Sequence, residues 1–408
     1  MDFRLTEEQL ALQETLRRFI AKDYDFERRR LLARSPLGYS ADAWAQYAEL
    51  GLLGLPYPEE FGGLGGSGVD IMAVMEMVGR GLLLEPYLST VVLCGGLIRD
   101  AATRATKEAL LPQIAAGKLQ IALAAYEAAG RYQLAHVASR AVREAKGWRL
   151  TGRKAVVLDA PSADYFLVSA RSSGNRTDAE GISLFLVRRD APGLTLQAYP
   201  TQSGGRAADL DLQNVAVEGD AVIGAPERAL PSIERAVDQG IAALCAEAMG
   251  IVTALNEATL DYLKTRKQFG TAIGSFQALQ HRMADMFIAA EQTRSMAIIA
   301  AIQAAGDEPA PRRRALSGAK AYVGQAARLV GQQAVQLHGA MGVVDELNVS
   351  HYFKRLTMID LTFGDADHHL ARFSDALLRE GQFTPVKAQL SEYLTTQTGP
   401  EDQRPLTL

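Results

Sequence analysis

The densest run of groups able to do chemistry is FGDADHHL, residues 363–370, where Asp365, Asp367, His368 and His369 fall within five positions. Carboxylates beside imidazoles are what Zn or Fe would take as ligands. The same letters also read as a helix start, with Asp365 as N-cap and Asp367, His368 and His369 in the first turn. Adjacent helical residues diverge by about 100°, so four such side chains do not converge on one ion. The cap reading is preferred to the metal reading.

A second run, YLKTRKQFG at 262–270, ends one predicted helix and leads through TAIGSFQALQHRMADM into another. Lys264, Arg266 and Lys267 suit a helix C-terminus, where cations face the negative end of the dipole. With Gln268, Phe269, a glycine turn and Gln277 close by, the run also suits a diphosphate. A guanidinium grips phosphate oxygens in pairs, while amide and ring groups can hold an adenine or ribose. A third run, QQAVQLHGAMGVVDE, breaks a helix at Gly339 and Gly342, which allows either close backbone approach to a ligand or a plain C-cap. His338 within it reads as a packed histidine. GLGGSG at 63–68 satisfies GxGxxG by letter, but a Pro-broken loop precedes it where a dinucleotide site needs a strand, so it is read as a turn.

These runs must be placed by the elements around them. The chain has 408 residues and a formal net charge of −4, which gives no basic field for nucleic acid or acidic membrane. Its two cysteines, Cys94 and Cys245, lack zinc or CxxC spacing and suit a reducing cytoplasm. The start has no charged n-region followed by an apolar stretch, and STVVLCGGLI is too short to span a bilayer and reads as a buried helix. Residues 1–118 read as helices, beginning with a Thr6/Gln9 capping box and continuing through SADAWAQYAELGLLGL, VDIMAVMEMVGRGLLL and TRATKEALLPQIAAGK. From 119 to 226 short alternating segments (IALAAYE, GWRLTGRKAVVL, DYFLVSARS, GISLFLVRRD, LTLQAY, ADLDLQNVAV) predict an antiparallel sheet or barrel rather than a parallel core. From 227 to 383 long Ala-rich amphipathic segments predict a helical bundle, followed by a polar tail over 384–408.

The helix–β–helix order, with RKQFG, SFQALQHRMADM and QLHGAMG, resembles the acyl-CoA dehydrogenase flavoproteins over nearly the whole chain. Within that family the opening MDFRLTEEQ, LEPYLSTVVL and HYFKRLTMID…FGDADHHLAR look like bacterial chains of the pimeloyl-CoA dehydrogenase small-subunit type. The resemblance implies an N-terminal helical domain, a middle β domain and a C-terminal helical bundle. It also implies FAD shared between subunits of a tetramer, an acyl-CoA substrate and an electron-transfer flavoprotein as acceptor. Carried over by position, the residues sent to a neighbour's FAD are Arg266, Phe269, Gln277 and the turn Gln336, Leu337, His338, Gly339 and Ala340; Gln268, beside them, joins the candidate cofactor-binding residues. The alanine replaces the second glycine of QxxGG.

The rest of the family site is altered. The flavin-binding TEPGAGSD stretch reads YEAAGRYQ, keeping Glu127 but placing Tyr126 and Tyr132 at hydroxyl positions. The flavin-stacking WIT or WIS is VVL, Val156 to Leu158. Removing the α-proton of a thioester needs a carboxylate while the flavin takes the β-hydride. The family's Tyr-Glu-Gly is Phe363, Gly364 and Asp365 here, and its alternative base position, 26 residues before Arg266, is Gly240. Both are glycine, so no catalytic base is expected, Asp365 being the one weak candidate. The resemblance therefore implies the subunit without a base in an α2β2 enzyme, paired with a related chain. Enzymes of that kind act on dicarboxyl-CoA and steroid side-chain CoA thioesters. Two alternatives stand beside it: a self-sufficient homo-oligomer using Asp365, and a flavin-free acyl-CoA-binding scaffold.

Overall fold

The structure, a computed structural model, describes residues 4–379. The tail at 384–408 and the first three residues of the MDFRLTEEQ opening lie outside the described residues. Capping sets the first helices. Thr6 and Gln9 form a reciprocal box at the head of α1 (Glu7–Asp23). Asp25 and Ser40 cap α2 (Phe26–Arg34) and α3 (Ala41–Glu49) through the backbone N–H groups of Arg28 and Ala43. The GLGGSG run follows a short 3₁₀ turn, Glu59–Phe61, and ends at the start of α4 (Gly68–Gly81), so it is a turn between helices. The predicted helix there runs too long in sequence: Leu82 adopts φ 50°, which reverses the chain at Gly81. Tyr87–Gly95 is buried and helical, wound as a π-helix, and passes into α5 (Gly96–Ala101) before α6 (Arg104–Ala115).

Seven strands make one sheet: β1 (Ile121–Ala124), β2 (Arg140–Glu144), β3 (Gly147–Leu158), β4 (Tyr165–Arg171), β5 (Ile182–Arg188), β6 (Leu194–Pro200) and β7 (Arg206–Glu218). Their order is β1-β4-β2-β3-β7-β6, with β5 on β4. One expectation needs refining, and one strand has no counterpart among the predicted segments. The sheet is not wholly antiparallel, because β1 runs parallel to β4, from Ile121 beside Tyr165 to Ala124 beside Val168. And β2, RAVRE, has no apolar alternation to announce it; four of its five residues are exposed, and it is held by a hairpin to β3.

The last third is α7 (Leu230–Thr265), a two-residue ladder β8 (Lys267–Gln268) with β9 (Thr271–Ala272), then α8 (Gln277–Gln303), α9 (Pro309–His338), α10 (Asn348–Leu361) and α11 (Ala366–Arg379). Helix α7 is long and apolar enough to cross a membrane, but 83% of its apolar window is buried inside the fold, where it is the central core helix. Its contact with α4 is backbone-close: a Cβ at Gly79 would lie 2.1 Å from the Glu247 carbonyl oxygen, and one at Gly250 would lie 1.9 Å from that of Glu76. Only glycine allows that approach. One large apolar cluster joins the first and last helical thirds, and a second fills the sheet. The cleft described next lies where the sheet meets the α10–α11 turn.

Candidate functional site

Two separate surfaces carry the sequence-predicted residues. The first is an edge formed by the end of α7, the β8–β9 hairpin, the start of α8 and the end of α9. Tyr262 on α7 stacks on His338 of α9 with ring centres 4.4 Å apart, and Arg282 on α8 donates to Gln333 Oε1 of α9 at 3.0 Å. These contacts bring the two predicted runs together. Arg266, Gln268, Phe269, Gln277 and Gln336 are all exposed on this edge. Leu337 and His338 point inward instead, and His338 Nδ1 bonds the Ala334 carbonyl at 2.8 Å, so only their backbone is available to a ligand. Phe269 sits at φ 54° beside Gly270 at φ 81°, an aromatic residue held left-handed and 92% exposed. Such a conformation costs on the order of 1 kcal/mol or more and is usually kept where it serves a contact. Gly339, at φ 61° and ψ −138°, turns the chain where α9 ends.

The second surface is a cleft of ≈ 410 Å³ between the sheet and the α10–α11 turn, lined by Tyr126, Arg131, Tyr132, Val156, Leu158, Met358, Leu361 and Phe363 among others. Several polar groups of its wall are already engaged. Glu127 accepts from Ala138 N at 2.7 Å, Ser139 N at 3.0 Å and the buried Lys154 Nζ at 2.7 Å. Burial pushes the Lys154 ammonium down to about 8 against the pull of Glu127. For Glu127 burial pushes upward, but Lys154 and the backbone donors outweigh it and leave its carboxyl below the usual range. Val156 N donates to Asp209 Oδ1 at 3.0 Å, Ala155 N to the Tyr126 carbonyl at 2.9 Å, and Tyr132 Oη to Asp365 Oδ2 at 3.4 Å. Phe363 stacks on Tyr126 at 6.1 Å. A flavin ring needs donors and acceptors along its pyrimidine edge and a flat ring or hydroxyl against its face. The rings of Tyr126 and Phe363 stack on each other, and the family's stacking positions are Val156 to Leu158, which offer neither a flat ring nor a hydroxyl. The stacking positions of this cleft do not fit a flavin face, and Arg266 stands exposed on the other edge.

At the base of the cleft lies FGDADHHL. Gly364 has φ 119°, and a Cβ there would come within 2.6 Å of His368 Cδ2 and of His369 Nε2. His369 cannot move aside: it is fully buried, its Nε2 bonds the Phe363 carbonyl at 3.1 Å and its Nδ1 faces Ser317 Oγ at 3.3 Å. The buried Lys320 fixes the turn from below, donating to the carbonyls of Asp360 and Gly364, each at 2.8 Å. Asp365 caps α11, accepting from His368 N at 2.8 Å. Gly240, the other base position, is hemmed in as well; a Cβ there would meet Leu93 Cδ2 at 2.7 Å and Phe363 Cε2 at 2.9 Å. Among the described residues no three His, Cys, Asp or Glu side chains are grouped to hold a metal.

The fold defines a flavoprotein dehydrogenase architecture: helical domain, curled sheet, helical bundle, with the exposed Arg266 edge at one corner. Three family descriptions match in turn, the acyl-CoA dehydrogenase N-terminal domain at 6–118, middle domain at 122–215 and C-terminal domain at 230–378. The probable acyl-CoA dehydrogenase YngJ of Bacillus subtilis is 27% identical over 372 residues, 90% of this chain and 97% of that protein. Human mitochondrial short-chain specific acyl-CoA dehydrogenase is 29% identical, covering 81% of each. Among solved structures, a variant of the Tcur3481–Tcur3483 steroid ACAD superposes with a TM-score of 0.83 at 30% identity, covering 92% of this chain and 99% of that one. The ChsE4–ChsE5 complex from Mycobacterium tuberculosis gives 0.84 at 26%, covering 94% and 100%. The chain belongs to the acyl-CoA dehydrogenase family of FAD-dependent oxidoreductases.

Two features of the cleft escape the sequence reading. Lys154, buried under Glu127, looks like any strand lysine until β3 is seen to curl. Arg131 stands at the last glycine of the family's TEPGAGSD and keeps a backbone, φ 47° and ψ −112°, that suits glycine. A position-by-position comparison with that motif would have found it.

Proposed function

We propose that this chain is the subunit without a base in a heteromeric FAD-dependent acyl-CoA dehydrogenase. It pairs with a related chain in an α2β2 tetramer and lends Arg266, Gln268, Phe269, Gln277 and the Gln336–Ala340 turn to that partner's FAD. FAD bound there supplies the hydride acceptor for α,β-desaturation of an acyl-CoA thioester, and the partner's carboxylate takes the α-proton. An electron-transfer flavoprotein reoxidises the enzyme, in the cytoplasm, where free thiols such as the buried Cys94 and Cys245 persist.

The observation that carries this reading is the filled space at Gly364 and Gly240. The self-sufficient reading would make Asp365 the base. That carboxylate is tied to the α11 backbone and to Tyr132, which argues against it. The scaffold reading leaves the exposed, strained Phe269 and the neighbouring Arg266 without a purpose. The test is flavin content and acyl-CoA turnover of the chain purified alone and after co-expression with a base-bearing dehydrogenase chain. Two FAD per tetramer and activity only in the mixture are expected. A homotetramer with four FAD and full activity refutes the reading.

A further inference from the structure

Three non-glycine residues with left-handed φ line one cavity: Arg131 at 47°, Val156 at 52° and Phe363 at 62°. Strain of this kind is costly for a β-branched or aromatic residue and gathers at ligand sites. At ≈ 410 Å³ the cleft falls within the range of small-molecule pockets, roughly 300–1,000 Å³. Its wall is largely apolar, Val156 and Leu361 being 55% and 47% exposed, and Glu127, the Val156 N–H and the Thr362 hydroxyl are already hydrogen-bonded. The cation on the lining is Arg131, exposed, its guanidinium 5.9 Å over the Tyr132 ring. A collapsed, purposeless cleft would have no reason to hold an arginine in glycine's conformation at its rim.

We propose that this cleft binds an aliphatic carboxylate, with its hydrocarbon body among Tyr126, Leu158, Met358 and Phe363 and its acid group on the Arg131 guanidinium. The inference rests on the reading that this chain's cleft does not carry flavin. The hydrocarbon gains from leaving water against an apolar wall that asks for no hydrogen bonds. The carboxylate gains a charge-assisted pair with a guanidinium still reached by solvent.

The test uses the full-length chain, alone and co-expressed with its partner. It is titrated with cis-parinaric acid, followed by fluorescence, then displaced with decanoate or with decanol, and flavin is quantified on the same samples. One saturable site per copy of this chain is expected, with decanoate displacing the probe about tenfold better than decanol, as one charge-assisted bond allows. Arg131→Gln should erase that preference without lowering the melting temperature, and Leu158→Glu should abolish binding of both. No saturable binding, equal displacement by acid and alcohol, or a preference that survives Arg131→Gln overturns the proposal. Half-stoichiometric flavin with no parinarate site would overturn this inference alone. One flavin per chain, displaced by parinarate, would overturn the subunit assignment with it.

Discussion

Asp365 separates two readings by a single atom change. As a cap it tolerates Asn, since both accept from the first-turn N–H groups, so Asp365→Asn should shift stability by no more than a few tenths of a kcal/mol and leave turnover of the assembled enzyme intact. Stopped-flow bleaching of the flavin by acyl-CoA checks this; a loss of several hundredfold would make Asp365 the base. Arg266 is tested by Arg266→Ala, expected to weaken FAD retention in the assembled enzyme by about 1.5–3 kcal/mol, the worth of a hydrogen bond to a charged group. Equilibrium dialysis at limiting FAD reads it. His369 gives a pH signature. Burial, then Lys320 and Arg372, hold its folded-state value down to about 2, far below the roughly 6.5 of an unfolded histidine. The unfolded chain therefore binds the extra proton as pH falls through about 6.5, and stability drops by up to about 1.4 kcal/mol per pH unit from this group. Denaturant unfolding between pH 7 and 5 should show a shallower decline in a His369→Gln variant than in the parent.

At the scale of elements, the helices were legible because capping residues and 3.6-residue periodicity are local signals. Thr6 with Gln9 and the Asp365 cap can each be read within a few letters. Strand β2 was not, because its residues meet solvent and its place is decided by β3. The parallel pairing of β1 with β4 was not legible either, since register across an intervening hairpin is a tertiary outcome. The Arg266 edge was readable as two runs; that Tyr262 and His338 bring them together was not. This edge can be disturbed through its turn alone. Gly339 has open space around a Cβ but φ 61°, so Gly339→Ala costs conformation and not contact. We expect a loss of about 1 kcal/mol in stability, with weaker FAD retention in the assembled enzyme. Thermal melting with and without added FAD measures both.

At the scale of the whole molecule, the glycines at the family's two base positions were legible, but the packing that resists a side chain there was not. That packing is three-dimensional: His368 and His369 crowd Gly364, and Leu93 with Phe363 crowd Gly240. Gly364→Glu should therefore yield no dehydrogenation by this chain alone and should destabilise it by more than 1 kcal/mol, from strain at φ 119° plus overpacking. Turnover assays and urea midpoints on the same preparation test the two halves. Measurable activity would show that the turn relaxes more freely than its pinned histidine suggests. Seen over generations, the packing around these glycines works as a ratchet. When a position is merely vacated, one codon change can return its old residue. Here the neighbours occupy the space, so a return would need changes at those neighbours as well. On the proposed pairing, a lineage carrying this chain is bound to whatever second gene supplies the carboxylate, and the two should be lost or inherited together.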